Sequence, residues 1–132
     1  MEPEGPHGRG MRVRRRVLGD AHVDRAEAGK TSFDAAFQRY VTESAWGAVW
    51  SRPQLDLRTR SLVTIAILGA LGHREELEMH VRAARSTGAS REEIAEALLH
   101  VAVYAGAPAA NRAFAAAKRA LGGRRERAGS EL

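Results

Sequence analysis

Gly72-His73-Arg74-Glu75-Glu76-Leu77-Glu78-Met79-His80 lies between two apolar stretches whose periodicity decides the fold. Upstream, Leu62 to Leu71 is apolar almost all round, broken by Thr64. It reads as the second half of a helix over about 57–71, with Asp56 as its N-cap, lying inside a core or against another subunit. Gly72 is placed to end it in a left-handed conformation. Downstream, Leu77, His80, Val81 and Ala84 share one helical stripe that runs to about Arg85, and Gly88 closes it. Ser90-Arg91-Glu92-Glu93 is a capping box, in which Ser90 and Glu93 satisfy each other's orphan amides. The helix it opens carries Ile94, Ala97, Leu98 and Val101 on one face. Gly106 stops that helix, and Pro108 suits the first turn of the last one. The last helix uses Ala110, Phe114, Ala117 and Leu121, and Gly122-Gly123 is read as its end.

Toward the N-terminus the pattern is weaker. Residues 1–10 read as a disordered tail. Residues 11–29 read as one helix, or two broken at Gly19. Thr31 or Ser32 can cap a helix from Phe33 to about Ala45, with Phe33, Phe37, Tyr40 and Val41 at helical spacing. Trp46 to Pro53 reads as a connection. No strand pattern and no internal repeat is found. The expectation is an all-α, single-domain helical bundle of about six helices over residues 11–122, followed by a flexible basic tail at 123–132.

Composition narrows the chemistry. The chain has 132 residues, enough for one domain with a real core. It contains no cysteine, which removes disulfides, thiolate zinc sites and cysteine-based redox or nucleophilic chemistry. No apolar run reaches the roughly 18–20 residues of a membrane span, and the polar start shows no signal-peptide pattern, so a cytoplasmic location is expected. The formal net charge is +5, but much of the excess sits at Arg12, Arg14, Arg15 and Arg16 and at Arg124, Arg125 and Arg127. This reads as solvated basic ends rather than a nucleic-acid surface. Ala84 and Gly88 followed by Ile94 have the spacing of a DNA-binding helix-turn-helix. The second helix opens on Arg91-Glu92-Glu93 and continues with Glu96, so carboxylates would face phosphates.

Glu76 and His80 are four residues apart and therefore neighbours on one helix face. Such a pair is either a structural hydrogen bond at the edge of a core or the working end of a small active site. Histidine titrates near neutrality, and a carboxylate beside it can fix its tautomer. His73 and His100 could add donors for a metal, but no metal-ligand spacing is matched. In Asp56-Leu57-Arg58-Thr59-Arg60, Arg58 and Arg60 are either exposed cations at a helix start or forks for a carboxylate. Trp50, Tyr104 and Asn111 flank glycine and proline turns, where they are structural or wall a small pocket.

Four separated motifs, agreeing in order and spacing, resemble the carboxymuconolactone decarboxylase family. They are Arg14-Arg15-Arg16-Val17-Leu18-Gly19-Asp20-Ala21-His22-Val23, the run from Val49-Trp50-Ser51-Arg52-Pro53 through Asp56-Leu57-Arg58-Thr59-Arg60-Ser61-Leu62, Glu75-Glu76-Leu77-Glu78-Met79-His80-Val81-Arg82, and Val103-Tyr104-Ala105-Gly106-Ala107-Pro108-Ala109-Ala110-Asn111. The resemblance covers about residues 11–121. It departs from the family's usual wording at Gln54, Leu57, Ser86 and Thr87. In the wider AhpD-like superfamily a Cys-x-x-Cys pair precedes the histidine aligned with His80. Here His73 and Glu76 occupy those places, so a thiol peroxidase activity is not expected.

The resemblance implies an AhpD-like helical fold and a cofactor-free carboxy-lyase. Its substrate would be 4-carboxymuconolactone, a dicarboxylate lactone of protocatechuate catabolism, and its product β-ketoadipate enol-lactone. It further implies a homo-oligomer, a hexamer of helical subunits. Glu76 and His80 then become the catalytic pair, and Arg58, Arg60, Trp50, Tyr104 and Asn111 the substrate-binding set, with no metal. The other readings are a related decarboxylase or lactone-processing enzyme with another substrate, and a non-catalytic nucleic-acid-binding helical protein.

Overall fold

The computed structural model describes the backbone of residues 4–130 and the side chains of residues 4–122. Among the described residues the chain is helical throughout and has no strand. Its contacts divide it into two compact units, Met1–Leu57 and Arg58–Leu132. The sequence reading set no boundary inside residues 11–122.

In the first unit, α1 spans Pro6–Leu18 and α2 spans Asp20–Ala28. Gly19 separates them with φ of 91°, a left-handed backbone that glycine adopts without a Cβ penalty. The expected disorder through residue 10 is therefore corrected from Pro6 onward; residues 1–3 lie outside the described residues. Pro6 pre-sets the helical φ at the first turn. Gly10 then lets α1 lie directly on the backbone of a later segment: a Cβ at Gly10 would stand 2.0 Å from the Thr42 carbonyl oxygen.

The expected helix from Phe33 to Ala45 is also redrawn. Thr31 and Asp34 form a local turn, with the Thr31 amide donating to Asp34 Oδ1 at 2.9 Å and the Phe33 amide to Thr31 Oγ1 at 3.2 Å. These bonds compete with helix formation and delay its start, so α3 is Ala35–Val41. The chain continues as a π-helical segment, Thr42–Trp50, where a connection was expected. Its wider turns bury Thr42, Trp46, Gly47 and Trp50. Trp46 and Trp50 pack with ring centroids 4.9 Å apart. Phe33, Phe37 and Tyr40 remain exposed, so their spacing does not mark a core face in this chain.

The second unit follows the sequence closely. Helix α4 is Leu57–Leu71, α5 is Arg74–Thr87, α6 is Arg91–Tyr104 and α7 is Ala107–Ser130. The capping box forms as read: the Glu93 amide donates to Ser90 Oγ at 3.1 Å and the Ser90 amide to Glu93 Oε1 at 2.9 Å. One core joins Ile65, Leu77, Val81, Ile94, Leu98 and Val101 to the alanines of α7. Burying side chains of that size contributes about 1.5–3 kcal/mol each. Gly69 permits the closest approach, since a Cβ there would meet Ala113 Cβ at 3.2 Å. The last helix does not stop at Gly122-Gly123: its backbone continues to Ser130. Glycine inside a helix costs about 1 kcal/mol relative to alanine and weakens a helix without forcing it to end. The residues described thus form seven α-helices and one π-helical segment, against about six expected.

Candidate active site

The chain has five histidines, and the fold treats one of them differently. His7, His73 and His100 are exposed and His22 is half-buried, whereas His80 is only 7 % exposed. Its place follows from the stripe on α5: Leu77, Val81 and Ala84 enter the core, and His80 enters with them. A polar ring at such a position is costly to bury unless its nitrogens are engaged. The fold therefore keeps an acid–base group away from bulk water. Glu76, one turn earlier, is exposed. The helix sets these two side chains on neighbouring positions, with the imidazole inside and the carboxylate at the solvent boundary.

Arg58 and Arg60 stand on the first turn of α4. Residues two apart on a helix do not face each other, so the two do not form a single fork. Arg58 forms an ion pair with Glu93, which ties the start of α4 to the capping box of α6. The sequence reading had given Glu93 only its capping role. It performs both, with Oε1 on the Ser90 amide and Oε2 on Arg58. Arg60 is half-buried, with its Nε out of solvent. Close by in sequence, Ser61 is fully buried, and its hydroxyl lies 2.7 Å from the Thr87 hydroxyl at the end of α5.

The remaining candidates are dispersed. Trp50 is buried in the first unit against Trp46. Tyr104 is 85 % exposed and stacks on His100 with centroids 6.4 Å apart. Asn111 is exposed near the start of α7. Tyr104 and Asn111 both stand at the surface of the single chain. Among the described residues, no group of three or more His, Asp or Glu side chains is gathered to hold a metal ion.

One arrangement escaped the sequence reading. A cavity of about 170 Å³ opens between the end of α4, the start of α5 and α7, and Arg74, Arg112 and Arg119 line it. Its sequence signal is modest: Arg112 and Arg119 are two helical turns apart, separated by alanines whose short side chains leave the space.

A family description, the carboxymuconolactone decarboxylase family, matches residues 35–119. A 4-carboxymuconolactone decarboxylase of Acinetobacter baylyi is 46% identical over 114 residues, covering 86% of this chain and 85% of that protein. A nitrosuccinic acid decarboxylase of Metarhizium robertsii is 43% identical over 99 residues, covering 75% of this chain and 69% of that protein. A second 4-carboxymuconolactone decarboxylase, from Pseudomonas putida, is 45% identical over 47 residues, which are 36% of this chain and 98% of that sequence. These matches show that the chain belongs to the carboxymuconolactone decarboxylase family.

Proposed function

We propose that the protein is a carboxy-lyase that removes CO2 from 4-carboxymuconolactone to give β-ketoadipate enol-lactone, in the cytoplasmic breakdown of protocatechuate. The observation that carries this reading is the 46% identity to a 4-carboxymuconolactone decarboxylase across most of both chains. The chemistry suits a chain with no thiol. The leaving carboxylate is attached to a ring carbon conjugated through C=C with the lactone carbonyl. When the C–C bond breaks, its electron pair moves to the carbonyl oxygen, CO2 departs, and a proton is returned to carbon. The substrate is its own electron sink, so the reaction needs no cofactor.

The protein's tasks are to hold a dianion, stabilise the dienolate and manage one proton. Arg60 binds the retained carboxylate, and Arg58, paired with Glu93, fixes the start of α4 that carries it. His80 hydrogen-bonds the dienolate oxygen or delivers the proton, with Glu76 beside it on α5 to orient it. The apolar residues around His80 favour the neutral product over the carboxylate. Tyr104 and Asn111 join the site where a second subunit covers their exposed surface. This requires the protein to work as a homo-oligomer, a hexamer in the reading from the family.

A second substrate has specific support. The Metarhizium relative is named for nitrosuccinic acid, a dicarboxylic acid whose nitro group can accept the electron pair left by CO2. Both reactions release CO2 from a dianion that carries its own sink. A direct comparison separates them: the purified protein is given 4-carboxymuconolactone generated in situ and, separately, nitrosuccinate, and the loss of each is followed. Faster loss of the lactone supports the main reading; turnover of nitrosuccinate alone replaces it.

A further inference from the structure

The cavity between α4, α5 and α7 reaches α5 about one turn before His80. Arg74 and Leu77 line it and His80 does not. Its walls are apolar where the helices meet, through Leu68, Leu77, Ala113 and Ala116, and its rim carries Arg74, Arg112 and Arg119. Glu78 Oε2 lies 3.5 Å from Arg119 Nη2. Among the described residues neither Arg74 nor Arg112 pairs with a carboxylate. Arg74, Arg112 and Arg119 therefore stand around an apolar hollow, with Glu78 on Arg119 and with Glu75 and Glu76 in the first turn of α5. The hollow also adjoins the N-terminal end of α5, whose N-cap His73 supplies no side-chain hydrogen bond to the first amides. A helix N-terminus favours negative charge.

We propose that this cavity is a second ligand site, which binds a small organic carboxylate through an apolar body against Leu68 and Leu77 and a carboxylate on Arg74 and Arg112. The volume, about 170 Å³, suits a molecule the size of a short-chain diacid. Guanidinium forks match carboxylate geometry and remain charged at all working pH values. This site does not depend on the roles assigned to His80, Arg58 and Arg60.

The test is calorimetric titration of the full chain with adipate, with neutral adipamide as the control. Adipate is expected to bind and adipamide not to. Arg74→Gln with Arg112→Gln is expected to weaken adipate at least about a hundredfold, the loss of a charge-assisted hydrogen bond at each guanidinium. Ala115→Leu, at a lining position that is exposed, is expected to block binding by filling space without changing charge. The Arg58→Gln, Arg60→Gln double variant is expected to keep this binding. The proposal is overturned by unchanged adipate affinity in the Arg74/Arg112 variant, by loss confined to the Arg58/Arg60 variant, or by equal binding of adipamide. It is also overturned if wild-type protein binds no adipate; loss of native mass in the Arg74/Arg112 variant would then make the cavity a contact between subunits.

Discussion

At position 80 the fold places an imidazole among Leu77, Val81 and Ala84, where a leucine would otherwise be expected. The sequence spacing showed the stripe and therefore the burial. It could not show that Glu76 stays exposed, because helical neighbours can lie on opposite sides of a solvent boundary. Residue-level chemistry was fully legible at Ser90 and Glu93, since a capping box involves only nearby backbone. Ser90→Ala should cost about 1 kcal/mol and lower the midpoint of thermal unfolding by about 4 °C. Circular dichroism melting checks this, and an unchanged midpoint contradicts it. The second role of Glu93, on Arg58, was not legible because it joins helices 35 positions apart. Glu93→Gln keeps the capping-box bond and loses only a part-exposed ion pair, so in the same melts it should destabilise by less than about 1 kcal/mol.

At the scale of elements, the second unit was readable and the first was not. Helix α5 has a strong stripe and a glycine with positive φ after it at Gly88, and α6 has a capped start. The first unit depends on backbone approach, which hydrophobic periodicity does not encode. Helix α1 lies against the π-helical segment through Gly10 and Gly47, and a Cβ at Gly47 would stand 2.6 Å from the Pro6 carbonyl oxygen. Gly10→Ala should destabilise this unit by about 1–3 kcal/mol, the usual cost of overpacking. Urea titration followed by tryptophan fluorescence would report it through buried Trp46 and Trp50; a wild-type midpoint would contradict it.

The same unit should be acid-sensitive. Glu27 is held below the usual glutamate range, first by its hydrogen bond from Lys30 at 2.7 Å and then by the charges of Lys30, Arg14 and His7. Burial pushes Arg14 down, and Glu27, 3.7 Å away, opposes that shift. A carboxylate with a depressed folded pKa contributes stability that is fully present above its ordinary value of about 4.3. That stability is lost as pH falls through the depressed value. Unfolding midpoints should fall with acidification below about pH 4.3, and Glu27→Gln should flatten part of that slope. An equal slope in the variant contradicts the assignment.

At the scale of the whole molecule, the apolar character of α4 has two outlets. Ile65 enters the core, while Val63, Ile67 and Leu71 remain exposed along another face. The sequence reading left helix 57–71 between a core and a subunit interface, and the single chain uses it for a core on one side only. The proposed homo-oligomer gives the exposed face a partner, since contiguous exposed apolar surface marks association sites. Sedimentation should find wild-type protein at a multiple of 14.3 kDa, and Ile67→Glu should shift it toward monomer; a wild-type monomer contradicts this part of the account.

We place decarboxylation at the buried histidine of α5. The most direct test is the rate of CO2 release from 4-carboxymuconolactone by wild-type protein and by His80→Ala, with helical content and native mass measured alongside. His80→Ala should slow release about 10²-fold or more, the scale of a positioned acid–base group, with the helical content retained. A folded His80→Ala protein that releases CO2 at the wild-type rate would contradict it.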